Sequence, residues 1–449
     1  MAIRSAARGS RLFRHPAQHV VSAFALATLV GGALLMLPWA STADTSWVDA
    51  WFTATSAVCV TGLGVVDTGA HWTGFGEAVI LALIQVGGLG IMTLSALIVV
   101  GLARRLGLRQ RLIAQASTGS LDLGEVRSIL RGVVIVSAVV ESAVALVLGL
   151  RLWAAYDVAL PRALYEGLFH AVSAFNNAGF GLRPDNLIAF QHDPLVLLTV
   201  GAAVVLGGLG FPVWVQLARH PRSPRRWNLH TKLTVAVTLA LLIGGWIVLT
   251  AFEWSNPATL GALDAPGSLV NGLFASITPR TAGFNAIDVG AMRDESLLVT
   301  EVLMFIGGGS GSTAGGIKVT TFAVLAFTMW SEVRGDPDVS IFRRRIPTQA
   351  QRQALTVALS AVSLVVLATI ALQVLSGLVQ RDLLFEAVSA LGTVGLTTGI
   401  TPGLPDPAKV LLIGLMLLGR VGPPTLFAAL VMREGERLYR HPEERPIIG

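Results

Sequence analysis

Hydrophobic positions run along the chain in long blocks joined by short polar links. Eight blocks reach the roughly 20 apolar residues needed to cross hydrocarbon: residues 19–39, 78–103, 131–152, 194–218, 232–252, 298–329, 353–377 and 408–432. The charges in their interiors are Glu141, Glu301, Lys318 and Arg420. Within each consecutive pair of blocks lies a shorter apolar stretch, at 48–58, 163–175, 268–278 and 382–391. Stretches of about a dozen residues are too short to span, so the pattern predicts re-entrant helices. Arg4, Arg8, Arg11 and Arg14 precede the first block in the manner of a signal peptide. That block is longer than a typical 7–15-residue signal core, so it is read as a retained span.

The short stretches align with one another. Phe52 leads to Gly62-Leu63, Phe169 to Gly179-Phe180, Phe274 to Gly283-Phe284 and Phe385 to Gly395-Leu396, at Phe-to-Gly spacings of 10, 10, 9 and 10. The glycines recur at intervals of 117, 104 and 112 residues. A second glycine-rich patch follows 24 to 28 residues later, beginning at Gly87, Gly207, Gly307 and Gly419. Internal repetition of this kind defines the architecture. It divides the chain into repeats at 1–118, 119–228, 229–346 with an intramembrane loop, and 347–449 with a C-terminal tail. Two crossings per repeat return the chain to its starting side, so all repeats point the same way and share an axis along the membrane normal. The expected fold is an all-α membrane protein of eight full spans and four re-entrant helices around a pseudo-fourfold central pore.

Composition sharpens this picture. Only 13% of residues are charged, against about a quarter in soluble domains. The mean hydropathy is +0.68. The net charge of +6 comes from arginines spread between apolar blocks, which argues against nucleic acid and for a lipid bilayer. Basic clusters at Arg104, Arg105, Arg109 and Arg111, at Arg219 to Lys232 and at Arg343 to Arg345 follow the even-numbered blocks. By the positive-inside rule both termini are cytoplasmic. Arg151, Arg162 and Arg183 are exceptions on the outer side. The single cysteine, Cys59, leaves no internal disulfide or multi-cysteine metal site. No nucleophile–base pair or paired-carboxylate site appears, so the chain is not read as an enzyme and needs no organic cofactor. His71, His170 and His192 lack metal-ligand spacing and read as surface or packing residues.

The aligned glycines fit a cation filter. A dehydrating ion can be ligated by rings of backbone carbonyls, which any side chain can accompany. The neighbours do vary: Val60-Thr61-Gly62, Asn177-Ala178-Gly179, Thr281-Ala282-Gly283 and Thr393-Val394-Gly395. Glycine permits the positive φ that aiming carbonyls at one line requires. Arg280, inside the third loop, is expected to tie the filter to an acidic neighbour.

The sixth block is interrupted by Gly307-Gly308-Gly309-Ser310-Gly311-Ser312-Thr313-Ala314-Gly315-Gly316. Glycines at about 1 kcal/mol each relative to alanine break a helix there. The segment imitates a P-loop, but Ile317 separates Gly316 from Lys318 and no strand precedes it. Arg420 is an intramembrane charge and therefore a functional candidate. Glu141 is a candidate partner for it, and Lys318 is read as either snorkelling or functional.

Phe175-Asn-Asn-Ala-Gly-Phe180 and Thr278-Pro-Arg-Thr-Ala-Gly-Phe284 resemble the second and third filter loops of the Trk/Ktr/HKT potassium transporter superfamily. The likeness covers nearly the whole chain and is greatest to the membrane subunits of bacterial Ktr systems. It implies potassium uptake across the bacterial cytoplasmic membrane, with Gly62 as in potassium-selective members. It implies that the loop from Gly307 to Gly316 gates the pore and that Arg420 faces the path. It also implies a homodimer, a cytosolic KtrA-like ring binding adenine nucleotides, and sodium stimulation. The tail from Arg433 to Gly449 and the basic links are docking candidates. The alternative class is an ion-coupled secondary active transporter, whose folds often show inverted repeats and intramembrane acids.

Overall fold

A computed structural model describes residues 16–105 and 123–422. The N-terminal arginines, Arg109, Arg111 and the tail from Arg433 lie outside the described residues. The four short apolar stretches are helices: α2 (Trp47–Val58), α5 (Leu160–Phe175), α9 (Ala265–Ile277) and α13 (Gln380–Gly392). Three of the starts have a local cause. Ser46 accepts from Asp49 N at 3.1 Å and Asp264 accepts from Gly267 N at 3.1 Å. Both satisfy a donor that the first helical turn leaves unpaired. Pro161 and Pro266 sit in the first turns of α5 and α9, where a missing N–H costs nothing.

Other helices flank them: α1 (Pro16–Leu35), α3 (Gly74–Arg105), α4 (Leu123–Ala155), α6 (Pro194–Leu209), α7 (Phe211–Arg219), α8 (Leu229–Glu253), α10 (Asp294–Phe305), α11 (Val319–Arg334), α12 (Thr348–Ser376) and α14 (Asp406–Val421). Among the described residues three helical stretches are long and apolar enough to cross a membrane alone: Arg131–Ala155, Leu229–Glu253 and Thr348–Ser376. Leucine, isoleucine and valine side chains on α8 and α12, including Ile243, Ile247, Leu367 and Val374, are exposed. Trp39, Trp47, Trp153, Trp254 and Trp330 are also exposed. An apolar outer surface with tryptophans at the helix ends suits lipid and its interfaces.

The fourth apolar block, expected as one continuous helix, is broken. α6 and α7 meet at a 95° bend. The break falls at Gly210, with φ 92°, and Pro212 in the first turn of α7 removes a helical donor. The sixth block is interrupted as expected, between α10 and α11. A two-residue hairpin, β1 (Ser340–Ile341) and β2 (Arg344–Arg345), precedes α12.

Packing follows the repeat. The aligned Phe52, Phe169, Phe274 and Phe385 are all buried. Each short helix also contacts the helix that follows the short helix of the preceding repeat: α5 packs on α3, α9 on α6, α13 on α10, and α2 on α14. The last contact joins the end of the chain to its beginning, so the arrangement closes on itself. Polar ties repeat the pattern at each junction. Tyr165 Oη donates to Glu77 Oε2 at 2.6 Å, and Asn271 Nδ2 to Gln191 O at 2.7 Å. Arg381 Nη1 lies 2.6 Å from Asp294 Oδ1, and Lys409 Nζ lies 2.9 Å from Asp49 Oδ1.

Candidate functional site

The segment after each short helix turns abruptly, and the turn uses two left-handed residues, not one. Gly62, Gly179, Gly283 and Gly395 have φ of 91°, 72°, 70° and 95°. Two residues earlier, Val60, Asn177, Thr281 and Thr393 have φ of 55°, 60°, 69° and 49°. Alternation of left-handed with ordinary residues places successive carbonyls on one side of the backbone. For β-branched Val60, Thr281 and Thr393 this conformation is an outlier, costing about 1–3 kcal/mol each. The sequence offers no signal for these positions beyond their place two residues before the aligned glycine.

The N–H groups of these segments point back into the helices that precede them. Thr61 N, Ala178 N and Val394 N donate to Ser56 O, Ser173 O and Ser389 O at 2.8, 2.7 and 2.8 Å. Ala282 N donates to Thr278 O at 3.0 Å. Gly62 N and Gly395 N donate to the hydroxyls of Ser56 and Ser389 at 3.0 and 3.1 Å. With the donors anchored outward, the carbonyls of Thr61, Ala178, Ala282 and Val394 accept no hydrogen bond among the described residues.

Those carbonyls lie against the glycines of the neighbouring repeats. A methyl group built on Gly62 would strike Ala178 O, one on Gly179 would lie 2.9 Å from Ala282 O, one on Gly283 2.5 Å from Val394 O, and one on Gly395 would strike Thr61 O. The same methyls would lie 3.0, 2.9, 3.1 and 3.0 Å from the Cα of the next aligned glycine. Repeat one thus meets two, two meets three, three meets four and four meets one. The four segments form a closed ring of peptide oxygens, and the glycines are required by backbone approach as well as by φ. The C-terminal, partially negative ends of α2, α5, α9 and α13 lead directly into this ring, which favours a cation there.

The second glycine patches explain how the ring is supported. A side chain at Gly87, Gly207 or Gly419 would collide with Val58 O, Phe175 O or Leu391 O, carbonyls in the last turns of α2, α5 and α13. In the third repeat Gly307 meets Gly315 O instead, because there the chain leaves the helix and forms a loop.

This loop, from Ile306 to Lys318, runs beneath the ring. Thr313 Oγ1 donates to Phe175 O at 3.2 Å and lies 3.3 Å from the Asn177 carboxamide. Gly315 packs against Thr393 Oγ1 and Gly392 O. The second and fourth segments are opposite members of the ring, so the loop reaches from one side to the other. The bend in the fourth block receives it: Gly309 N donates to Gly208 O at 2.8 Å and Phe211 N to Gly311 O at 3.2 Å.

Two cations hold the loop, Arg420 buried and Lys318 partly buried. Arg420 Nη1 donates to Thr313 O at 2.5 Å and Nη2 to Gly87 O at 3.1 Å. Lys318 Nζ donates to Ala314 O at 2.6 Å and Gly315 O at 3.2 Å. Three consecutive loop carbonyls are therefore taken by fixed positive charges. Lys318 turns inward and does not snorkel. Arg420 pairs with carbonyls and not with Glu141. Glu141 instead accepts from Gln85 Nε2 at 3.2 Å and from Asn176 Nδ2 at 3.1 Å, behind the second short helix. Arg280 finds no acidic neighbour among the described residues. It donates to Thr238 O and Thr238 Oγ1, both at 3.3 Å. His170 is buried against Glu166 O at 2.8 Å, a packing role.

Comparison with known proteins agrees with this architecture. Residues 4–439 match the family model described as TrkH, cation transport protein. The chain is 41% identical to the Ktr system potassium uptake protein B of Bacillus subtilis, covering 97% of both chains. It is 38% identical to the protein of the same name from Vibrio alginolyticus, covering 94% of this chain and 92% of the relative. It is 36% identical to the potassium/sodium uptake protein NtpJ of Enterococcus hirae, covering 97% of both. The crystal structure of the potassium transporter TrkH from Vibrio parahaemolyticus superposes with a TM-score of 0.73 at 17% identity, covering 95% of this chain and 87% of that one. The apolar exterior, the closed carbonyl ring and these full-length matches lead to one conclusion: the chain is a membrane protein belonging to the TrkH family of cation transport proteins.

Proposed function

We propose that this chain takes up potassium across the bacterial cytoplasmic membrane through the glycine ring. The carrying observation is the closed contact of Gly62, Gly179, Gly283 and Gly395 with the Ala178, Ala282, Val394 and Thr61 carbonyls of neighbouring repeats. Val60 to Gly62, Asn177 to Gly179, Thr281 to Gly283 and Thr393 to Gly395 line the filter and replace the ion's hydration shell. Four parallel repeats with eight crossings surround this line, and both termini lie in the cytoplasm. The names of the Bacillus and Vibrio relatives support potassium as the cargo, and that of the Enterococcus relative supports a role for sodium.

The loop from Gly307 to Gly316 is the gate, with Arg420 as a positive barrier beside it. Its contacts with opposite ring segments support this reading. The chain works as a homodimer with a cytosolic ring that binds adenine nucleotides, consistent with relatives named as parts of a Ktr system. A carrier mechanism would use an intramembrane acid lining the path, and the hydrogen bonds of Glu141 place it behind α5.

Reconstitution into liposomes tests the proposal. Potassium-driven flux and growth rescue of a bacterium lacking potassium uptake are the expected results. Absence of flux from correctly oriented, folded protein would refute it. Deleting Gly309 to Ala314 should raise flux, and an unchanged rate would remove the gate from the loop.

A further inference from the structure

The ring is not fourfold at its glycine layer. Asn186 Nδ2 donates to the carbonyl of Gly179 at 3.0 Å. Among the described residues, the carbonyls of Gly62, Gly283 and Gly395 receive no such bond. The chain after each aligned glycine is held differently. In the third repeat Asn285 Nδ2 donates to Ile287 O at 3.1 Å. In the fourth, Thr397 and Thr401 hydrogen-bond to Glu386. Only the second repeat sets a side-chain amide on the carbonyl of its aligned glycine among the described residues.

The placement of Asn186 is constrained from several sides. It is left-handed, with φ 56°, a conformation asparagine tolerates better than most residues. Asn186 N donates to Arg183 O at 3.0 Å, closing the turn. The next residue, Leu187, donates its N–H to Asn285 O at 3.0 Å, anchoring the turn on the third repeat. Gly181 leaves room for the side chain, since a methyl there would sit 3.6 Å from Asn186 Cγ. Asn186 Oδ1 is buried without a partner, so the Gly179 carbonyl alone orients the carboxamide.

We infer that Asn186 is a specificity-determining residue: it clamps one filter carbonyl and biases the ring toward potassium over sodium. This rests on the filter reading above. Two accounts of selectivity give the same sign. If selectivity comes from cavity size, a carbonyl held by a fixed donor cannot follow a smaller ion inward. If it comes from carbonyl field strength, a carbonyl already sharing a lone pair with an amide is a weaker ligand, and weaker fields favour the larger ion. Either way, losing the amide shifts preference toward sodium.

The test measures potassium and sodium flux in the same liposomes for wild type, Asn186→Ala and Asn186→Asp. Asn186→Asp keeps the side-chain size and removes the donor. The expected result is a two- to tenfold fall in the potassium-to-sodium ratio, about what one hydrogen bond is worth, with Asn186→Asp falling furthest. A purely structural role would lower both fluxes together and leave the ratio fixed, which would overturn the inference. If wild type passes no potassium, the filter reading itself fails. Should Asn186→Ala not fold, Asn186→Gly, which suits the left-handed φ and removes the donor without adding a charge, decides the question by the same ratio.

Discussion

The four segments after the short helices, proposed above as the filter, and the loop from Ile306 to Lys318 are both non-helical backbone packed between helices, yet they treat their carbonyls oppositely. In the filter, N–H groups are anchored to the short helices, and the Thr61, Ala178, Ala282 and Val394 oxygens are left open to the ring. In the loop, Thr313 O, Ala314 O and Gly315 O are taken by Arg420 and Lys318. Irregular backbone in a membrane must have its polar groups satisfied or line a wet path. On the proposed function, the filter takes the second route and the loop the first, and whether the protein supplies its own cations is what distinguishes the proposed pathway from the proposed gate.

The largest effect should come from closing the open side of the comparison. Gly62→Ala adds a methyl into Ala178 O at φ 91°. Strain and overlap together predict a loss of at least about a hundredfold in potassium flux, measured by uptake into liposomes with protein content matched. Retention of wild-type flux would contradict a ring at this position.

Next comes the satisfied side. Lys318→Met removes the ammonium from Ala314 O and Gly315 O while keeping an unbranched chain. Flux should rise about tenfold, the scale of one charge-assisted hydrogen bond. Arg420→Gln should act in the same direction through Thr313 O. Combining the two tests whether they hold one element: a double variant with less than the product of the single gains marks a shared latch. A fall in flux for both, with folded protein, would make these cations part of the conducting path.

A smaller effect should follow from loosening the filter's anchors. Ser56→Ala and Ser389→Ala each remove one hydroxyl acceptor, from Gly62 N and Gly395 N respectively. Each should cost about 1 kcal/mol of thermal stability and shift selectivity modestly. The least effect belongs to Asp294→Asn, which breaks a largely exposed pair with Arg381. Exposed pairs contribute roughly 0–1 kcal/mol, so a large change in melting temperature would mean that this junction carries more than its exposure suggests.

Much of this was legible in order. The short helices lie within a few residues of the expected stretches, because a dozen apolar residues between two longer blocks have one way to be buried at membrane depth. The aligned phenylalanines are buried and the aligned glycines are left-handed, as periodicity and spacing implied. The strained Val60, Thr281 and Thr393 were not legible, since β-branched residues argue locally against positive φ and only ring closure forces it. The bend at Gly210 is marked by Gly207, Gly208, Gly210 and Pro212, but the apolar run around them reads as a single span. Its reason is the loop, which arrives from about a hundred residues later. Arg280 was expected beside an acid and instead meets Thr238, because hydrogen-bond partners across helices carry no signature in linear spacing.

The sequence by itself determined the apolar spans, the repeat and the glycine positions, since hydrophobic length and backbone sterics act on each segment separately. Tertiary structure alone decided which carbonyls stay open and which meet Arg420, Lys318 or Asn186. Those pairings depend on where distant segments come to rest around a common line, and directional hydrogen bonds form only after that geometry exists.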